Sequence, residues 1–202
     1  MDLKETYNQI AEDWNQDHLK DDWFLVGINK YLSLFKPGAL LLDIGCAGGL
    51  KVDYMIKRGF KVVGVDFSEK MIEIAKRDVP EGEFYTLGLE DVDQLKGEFD
   101  GISLMAVLLH VPKQDVPKRL IKIVEKLKKG GYLYISVKEI RAGNAAEEIK
   151  TENDYGYDYQ RFFSYFTTEE VEKYMKDLGL EIVFSDVSLS GKTNWIQVIG
   201  KK

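Results

Sequence analysis

The chain reads as an α/β protein, a mostly parallel sheet with helices on both faces and an antiparallel strand near its C-terminal end. Three observations carry this. From Leu40 onward, short continuous apolar runs alternate with amphipathic helical stretches, the pattern of strands covered on both faces. The first run, Leu40–Leu42, leads through Asp43 into a turn holding Gly45, Gly48 and Gly49. The last two candidate strands, Leu180 to Val187 and Asn194 to Lys201, are joined by a Ser190-Gly191-Lys192 turn, so they return close upon each other in an antiparallel sense.

Residues 3 to 35 read as two helices. In the second, Phe24, Leu25, Ile28, Tyr31, Leu32 and Phe35 fall on one apolar stripe, and Lys36-Pro37-Gly38 ends it. Tyr7 and Trp14 on the first helix read equally as packing against a sheet edge. The stretch LLLDIGCAGGL (Leu40 to Leu50) is a buried strand, a tight turn and a helix start, and the helix opening there aims free backbone N–H groups into the turn. After Gly59 comes KVVGVD, a second buried strand ending in Asp66. Asp66 lies 23 positions after Asp43, close to the roughly 20-residue offset at which an acid reaches a ribose hydroxyl. Ser68 is the expected cap of the next helix, with Glu69 in its first turn and Met71, Ile72, Ile74 and Ala75 on its buried side.

The turn does not supply the G-x-G-x-x-G spacing of nicotinamide enzymes, because Ala47 stands at the second glycine position. With Asp43-Ile44-Gly45 leading into it, the segment resembles the first motif of the class I S-adenosylmethionine (SAM)-dependent methyltransferases, an acid-x-Gly-x-Gly-x-Gly. That resemblance covers about residues 37 to 202 and implies a seven-stranded, mostly parallel sheet ending in an antiparallel strand, with SAM as cofactor. It implies cofactor contacts from Asp43, Gly45, Cys46, Ala47, Gly49 and Asp66, and from Phe67 near the adenine. It also implies that residues 1–36 form a helical lid within the same domain, from which Tyr7 contacts the acceptor.

Phe84 to Gly88 reads as the third strand. In the resembled family an acid just beyond it contacts the adenine; Leu89 stands at the usual position, leaving Glu90 as the expected contact. The fourth strand, Phe99 to Met105, resembles the family's F-D-x-apolar motif, which places Met105 beside the methyl group and His110 near the reacting atoms. His110 reads as a base matched to neutral pH or as a buried, hydrogen-bonded histidine. A helix from Pro117 to Lys129, ended by Gly130-Gly131, precedes a fifth strand over Tyr132 to Val137. Residues 139–166 then break the rhythm, with thinned aliphatics and many tyrosines and phenylalanines. We read this as an aromatic segment capping the substrate. Tyr165 is a substrate contact within it. Arg161 is its one cation amid the aromatics, suited to an acidic group of the substrate or to an acid of the protein itself. Thr167 and Glu170 form a capping box for the next helix, which Gly179 closes.

With 202 residues and 45% hydrophobic composition the chain suffices for one domain with a sizeable core. Its net charge of −6, without a basic cluster, argues against nucleic acid as partner. Apolar runs fall short of a membrane span, and the polar N-terminus is unlike a signal peptide. One cysteine rules out a disulfide framework and fits the cytoplasm. No side-chain set at ligand spacing suggests a metal site. The resemblance therefore implies methyl transfer from SAM to a nucleophilic atom of a small molecule, by a monomer or homodimer. The alternatives are an RNA-modifying enzyme of the same fold, a non-catalytic SAM-binding protein and a nicotinamide oxidoreductase.

Overall fold

A computed structural model describes residues 2–202. Seven strands form one sheet: β1 (Leu40–Ile44), β2 (Lys61–Asp66), β3 (Glu83–Thr86), β4 (Phe99–Met105), β5 (Leu127–Lys138), β8 (Glu181–Ser190) and β9 (Thr193–Lys201), with β6 (Glu147–Glu152) and β7 (Tyr159–Ser164) in a separate hairpin. The order across the sheet is β3-β2-β1-β4-β5-β9-β8. Strands β3 through β5 pair in parallel, and β9 is antiparallel to both of its neighbours, β5 and β8. The expected seven-stranded sheet with its antiparallel return is thus present. The return strand β9 lies between β5 and β8, and β8 forms the edge.

Helices α3 (Leu50–Ile56), α4 (Glu69–Asp78), α5 (Val116–Glu125) and α6 (Thr168–Asp177) connect the strands, after α1 (Leu3–His18) and α2 (Leu25–Leu32). The core divides into two layers, one on each side of the sheet. Leu42, Ile44, Leu104, Leu120, Ile123 and Ile135 belong to one; Ile28, Tyr31, Leu41, Val52, Met55 and Ile72 belong to the other. Burial alternates along β1 between the layers because successive side chains of a strand face opposite ways.

Two segments depart from the sequence reading. Gly130-Gly131 does not cap α5. That helix ends at Glu125, and β5 begins at Leu127, pairing with Phe99 before a register shift. The glycines lie inside the strand, where Gly130 N–H donates to Lys202 O (2.7 Å) and Lys202 N–H to Gly131 O (2.9 Å). The aromatic segment is not one long loop. It folds into an antiparallel hairpin of β6 (Glu147–Glu152) and β7 (Tyr159–Ser164), with Glu147 opposite Ser164 and Glu152 opposite Tyr159. Ser68 caps α4 by accepting from Met71 N–H (3.1 Å), and the Thr167/Glu170 capping box of α6 is complete.

Helix α1 lies across α4 and the hairpin, held by polar contacts. Asn8 Oδ1 accepts from Ser68 Oγ (2.7 Å), Arg77 pairs with Glu12 (2.7 Å), and Thr6 Oγ1 donates to Gln160 O (3.1 Å). On its apolar side Ile10 is fully buried, and Ala11 packs with Met71 and Ile74, flanked by Tyr7, Trp14 and Ala47.

Candidate active site

The order of strands reverses between β1 and β4, and in open α/β sheets ligands bind beyond the carboxyl ends of strands at such a point. A cavity of 330 Å³ lies there. Its floor is built by the two turns that leave these strands. Ala47 after β1 (φ 47°) and Ala106 after β4 (φ 61°) are the two non-glycine residues with left-handed backbone among the described residues, and both line the cavity. Each such residue costs of order 1 kcal/mol, a strain that folds concentrate at ligand sites.

The β1 turn is tied to β2 by Gly45 N–H and Cys46 N–H, both donating to Val65 O (2.8 and 3.0 Å). Asp66, at the end of β2, is 7% exposed. Its Oδ2 accepts from Ala47 N–H (3.0 Å) and its Oδ1 from Ser68 N–H (2.9 Å). A carboxylate offers about four acceptor sites, so two remain for hydroxyl groups in the cavity. Burial pushes Asp66 up to about 6, against the pull of those two N–H groups and of Lys51. Asp43 sits behind the turn, outside the cavity lining. Its Oδ1 accepts from Ser103 Oγ (2.7 Å), while its buried Oδ2 has no partner. Burial raises it likewise to about 6.

At the other end, the segment after β4 turns through Leu108–His110. His110 Nδ1 lies 2.8 Å from the carbonyl oxygen of Phe162 in β7. A carbonyl only accepts, so Nδ1 carries the proton and Nε2 is a bare acceptor, filled by the Tyr7 hydroxyl at 2.8 Å. Burial, with the charges of Arg161 and Lys138 added, pushes His110 down to about 3, so the imidazole is neutral at physiological pH. Arg161 is held by both carboxylate oxygens of Glu152 (2.6 and 2.8 Å) and donates weakly to the Tyr7 hydroxyl (3.3 Å).

Of the residues singled out from sequence, Tyr7, Trp14, Gly45, Ala47, Asp66, Phe67, Met105, His110 and Arg161 line this one cavity. The structure places the rest elsewhere. Cys46 is buried beneath the turn with its thiol pushed up by burial, and Gly49 (φ 88°) caps the start of α3. Glu90 is exposed 4.0 Å from Arg119, and its neighbour Leu89 lines the cavity instead. Tyr165 donates to Glu148 (2.7 Å) on the hairpin. Of the two readings for Arg161, its guanidinium takes an acid of the protein.

Lys51, Trp23, Leu109, Lys138 and Trp195 also line the cavity without having been anticipated. Lys51 is 9% exposed, and among the described residues its ammonium has no hydrogen bond or ion pair. Its place one residue into the helix after the glycine turn was the available signal. Trp23 and Trp195 stack at 3.9 Å, joining two segments far apart in sequence, which no local pattern announces.

The sheet order with its antiparallel return, and the acid-flanked turn at the switch point, define a class I SAM-dependent methyltransferase fold. The chain belongs to the methyltransferase-domain family, whose profile matches residues 18–184. Among curated relatives it is 35% identical over 124 residues to the ubiquinone biosynthesis O-methyltransferase of Dechloromonas aromatica (strain RCB), covering 58% of this chain and 50% of that one. It is 32% identical over 148 residues to the protein of that name from Coxiella burnetii (strain Dugway 5J108-111), covering 64% and 58%. The chain therefore spans little more than half the length of these relatives. Among solved structures it resembles the Burkholderia thailandensis 1,6-didemethyltoxoflavin-N1-methyltransferase with bound S-adenosylhomocysteine (TM-score 0.78, 20% identity, 99% of this chain and 87% of that one). It also resembles the Synechocystis PCC 6803 magnesium protoporphyrin IX methyltransferase with bound SAM (TM-score 0.72, 19% identity, 99% and 95%).

The residues present fit SAM. Asp66 has acceptor sites free for a ribose diol. The orphaned Asp43 Oδ2 and the two acids held at about 6 make this end of the cavity receptive to a cation. The volume lies at the lower edge of the roughly 300–1,000 Å³ typical of small-molecule sites.

Proposed function

We propose that this chain transfers a methyl group from SAM to a nucleophilic atom, a hydroxyl oxygen being the best fit, of a small-molecule acceptor. One observation carries the reading: the Asp66 end and the His110 end belong to the same cavity, so donor and acceptor share one enclosed space. When bound, SAM supplies a methyl group made electrophilic by its sulfonium. The protein's task is then to orient two ligands and exclude water, which alone lowers a barrier by several kcal/mol.

Each residue's part follows from its surroundings. Asp66 takes the ribose hydroxyls, and Phe67 and Leu89 flank the base. Lys51 takes the carboxylate of the cofactor's methionyl group, and Asp43 favours its ammonium group electrostatically from behind the turn. Met105 and Ala106 form the wall beside the reacting centre. Tyr7 already fills the single lone pair of His110 Nε2, so an acceptor proton reaches the imidazole through the Tyr7 hydroxyl: Tyr7 receives it on its oxygen and gives its own proton to Nε2. Burial leaves His110 a weak base and not one matched to neutral pH, so it takes the proton only once the forming bond has made the acceptor oxygen strongly acidic. Helix α1 acts as the lid, and the hairpin β6–β7 as the substrate cap.

The partner is a small molecule, neither nucleic acid nor membrane. Among the described residues no helix is long and apolar enough to cross a bilayer. We place the protein in the cytoplasm, as a monomer or homodimer. Calorimetry with SAM and with NADH, followed by incubation of metabolite pools with methyl-labelled SAM, tests the reading. Micromolar SAM binding and a labelled small product are expected; binding of NADH but not SAM would overturn it.

A further inference from the structure

The cavity is electrically polarised. Its nucleoside end holds two acids, Asp66 in the wall and Asp43 behind it, with Lys51 beside them, while its far end holds His110, Arg161 and Lys138. At that far end Arg161 is neutralised by Glu152, and the nearby Lys150 lies 3.2 Å from Glu148. Lys138 is different. It sits at the C-terminal end of β5, directly opposite Trp195 of β9, and lines the cavity. Its ammonium makes no hydrogen bond or ion pair among the described residues; it rests over the ring of Phe163 at 4.7 Å and that of Trp195 at 5.8 Å. An ammonium partly withdrawn from water and held in no ion pair is unfavourable, and here burial and the charges of Arg161 and Lys150, against the weaker pull of Glu152, bring it down to about 8. An anionic ligand group arriving there would relieve that cost.

The walls around this cation are flat. Phe163 is 2% exposed and Trp195 7%, and Trp23 stacks on Trp195 with planes 12° apart. Leu109 packs with them. Aromatic side chains in the lining at this end of the cavity suit a planar ring better than a flexible chain. Lys138, His110 and Tyr7 line the same cavity, so one ligand held there can meet both the ammonium and the Tyr7–His110 pair.

We propose that the acceptor is a planar aromatic acid bearing a hydroxyl, that Lys138 takes its carboxylate, and that Lys138 thereby decides which acceptors are methylated. This rests on the methyl-transfer reading above. The carboxylate also offsets one of the two cations that hold His110 down, so an acidic acceptor strengthens the group that receives its proton.

The test uses the whole chain saturated with S-adenosylhomocysteine and titrated by calorimetry with 3,4-dihydroxybenzoate or with catechol, which lacks the carboxylate. Wild type binds the acid about tenfold or more tightly than catechol, the value of one charge-assisted hydrogen bond. In Lys138→Met that preference collapses, in Lys138→Arg most of it survives, and affinity for S-adenosylhomocysteine is unchanged in both, which also shows that both fold. The assignment is overturned if wild type shows no preference for the acid, or if Lys138→Met keeps one. Loss of S-adenosylhomocysteine binding in Lys138→Met overturns it too, since the lysine then serves the cofactor's own carboxylate. A wild type that binds no S-adenosylhomocysteine sinks the methyl-transfer reading and this one with it. Cofactor binding without acid preference sinks only this one.

Discussion

Asp66 is asked to be a buried acid that still accepts hydrogen bonds, and its titration exposes the conflict. Its folded value of about 6 lies above the ordinary 3.8, so the proton it retains stabilises the ligand-free fold below about pH 4, and that contribution fades as pH rises through 6. Asp66→Asn never carries the buried charge. Its melting temperature relative to wild type should therefore climb between pH 5 and pH 8; a flat difference would show that Asp66 is solvated. His110 shifts in the opposite direction, and the comparison with wild type removes its effect. The same substitution should weaken SAM binding at pH 8 by about 1.5–3 kcal/mol, through loss of a charged acceptor of ribose hydroxyls. Tyr7 and His110 form a second unit. If the proton passes through both, Tyr7→Phe and His110→Asn each slow turnover by about 10²-fold with SAM affinity intact. The double variant then falls little further than either single one. Additive losses in that cycle would separate the two residues.

Helix α1 is held to its neighbours largely through exposed polar contacts. Its Arg77–Glu12 and Lys4–Glu69 pairs are exposed, and exposed pairs contribute only about 0–1 kcal/mol each. If α1 is the lid, amide exchange in it should run much faster than in β1 and β4, and SAM should slow it, because Tyr7 and Trp14 line the cavity. Equal protection of helix and sheet would mean that α1 is no lid. Helix α2 is packed tightly against the sheet at Gly27. A methyl group there would meet Gln197 Oε1 at 1.7 Å and the Tyr134 hydroxyl at 2.1 Å, two groups already bonded to each other at 2.6 Å. Gly27→Ala should cost about 1–3 kcal/mol in urea unfolding, the usual penalty of overpacking. An unchanged midpoint would show that α2 yields.

Over the whole molecule, what was legible in the sequence was what repeats locally. Buried strands such as Lys61–Asp66 announce themselves by continuous apolar runs, the Thr167–Glu170 box by its spacing, and the turn after Asp43 by its glycines. Those signals led to the nucleoside end. The acceptor end was harder, because long-range contacts make it. Lys138 looks like any residue at the end of a strand until β9 sets Trp195 opposite it. Glu90 drew notice as an acid, whereas the residue facing the cavity is its neighbour Leu89, turned inward by the short helix that begins there. The hairpin β6–β7 was hidden because charges and aromatics both fall on its strands, blurring the alternation that marks a half-buried strand.

The insertion of β9 between β5 and β8 has a consequence for biosynthesis. β9 is translated after every other strand of the sheet, and it brings Trp195. A nascent chain still on the ribosome has Asp66 and the glycine turn in hand while the compartment for the second ligand lacks its far panel. Strand β9 therefore completes the compartment around Lys138 last, after the strands that carry Asp66 and the glycine turn have been made.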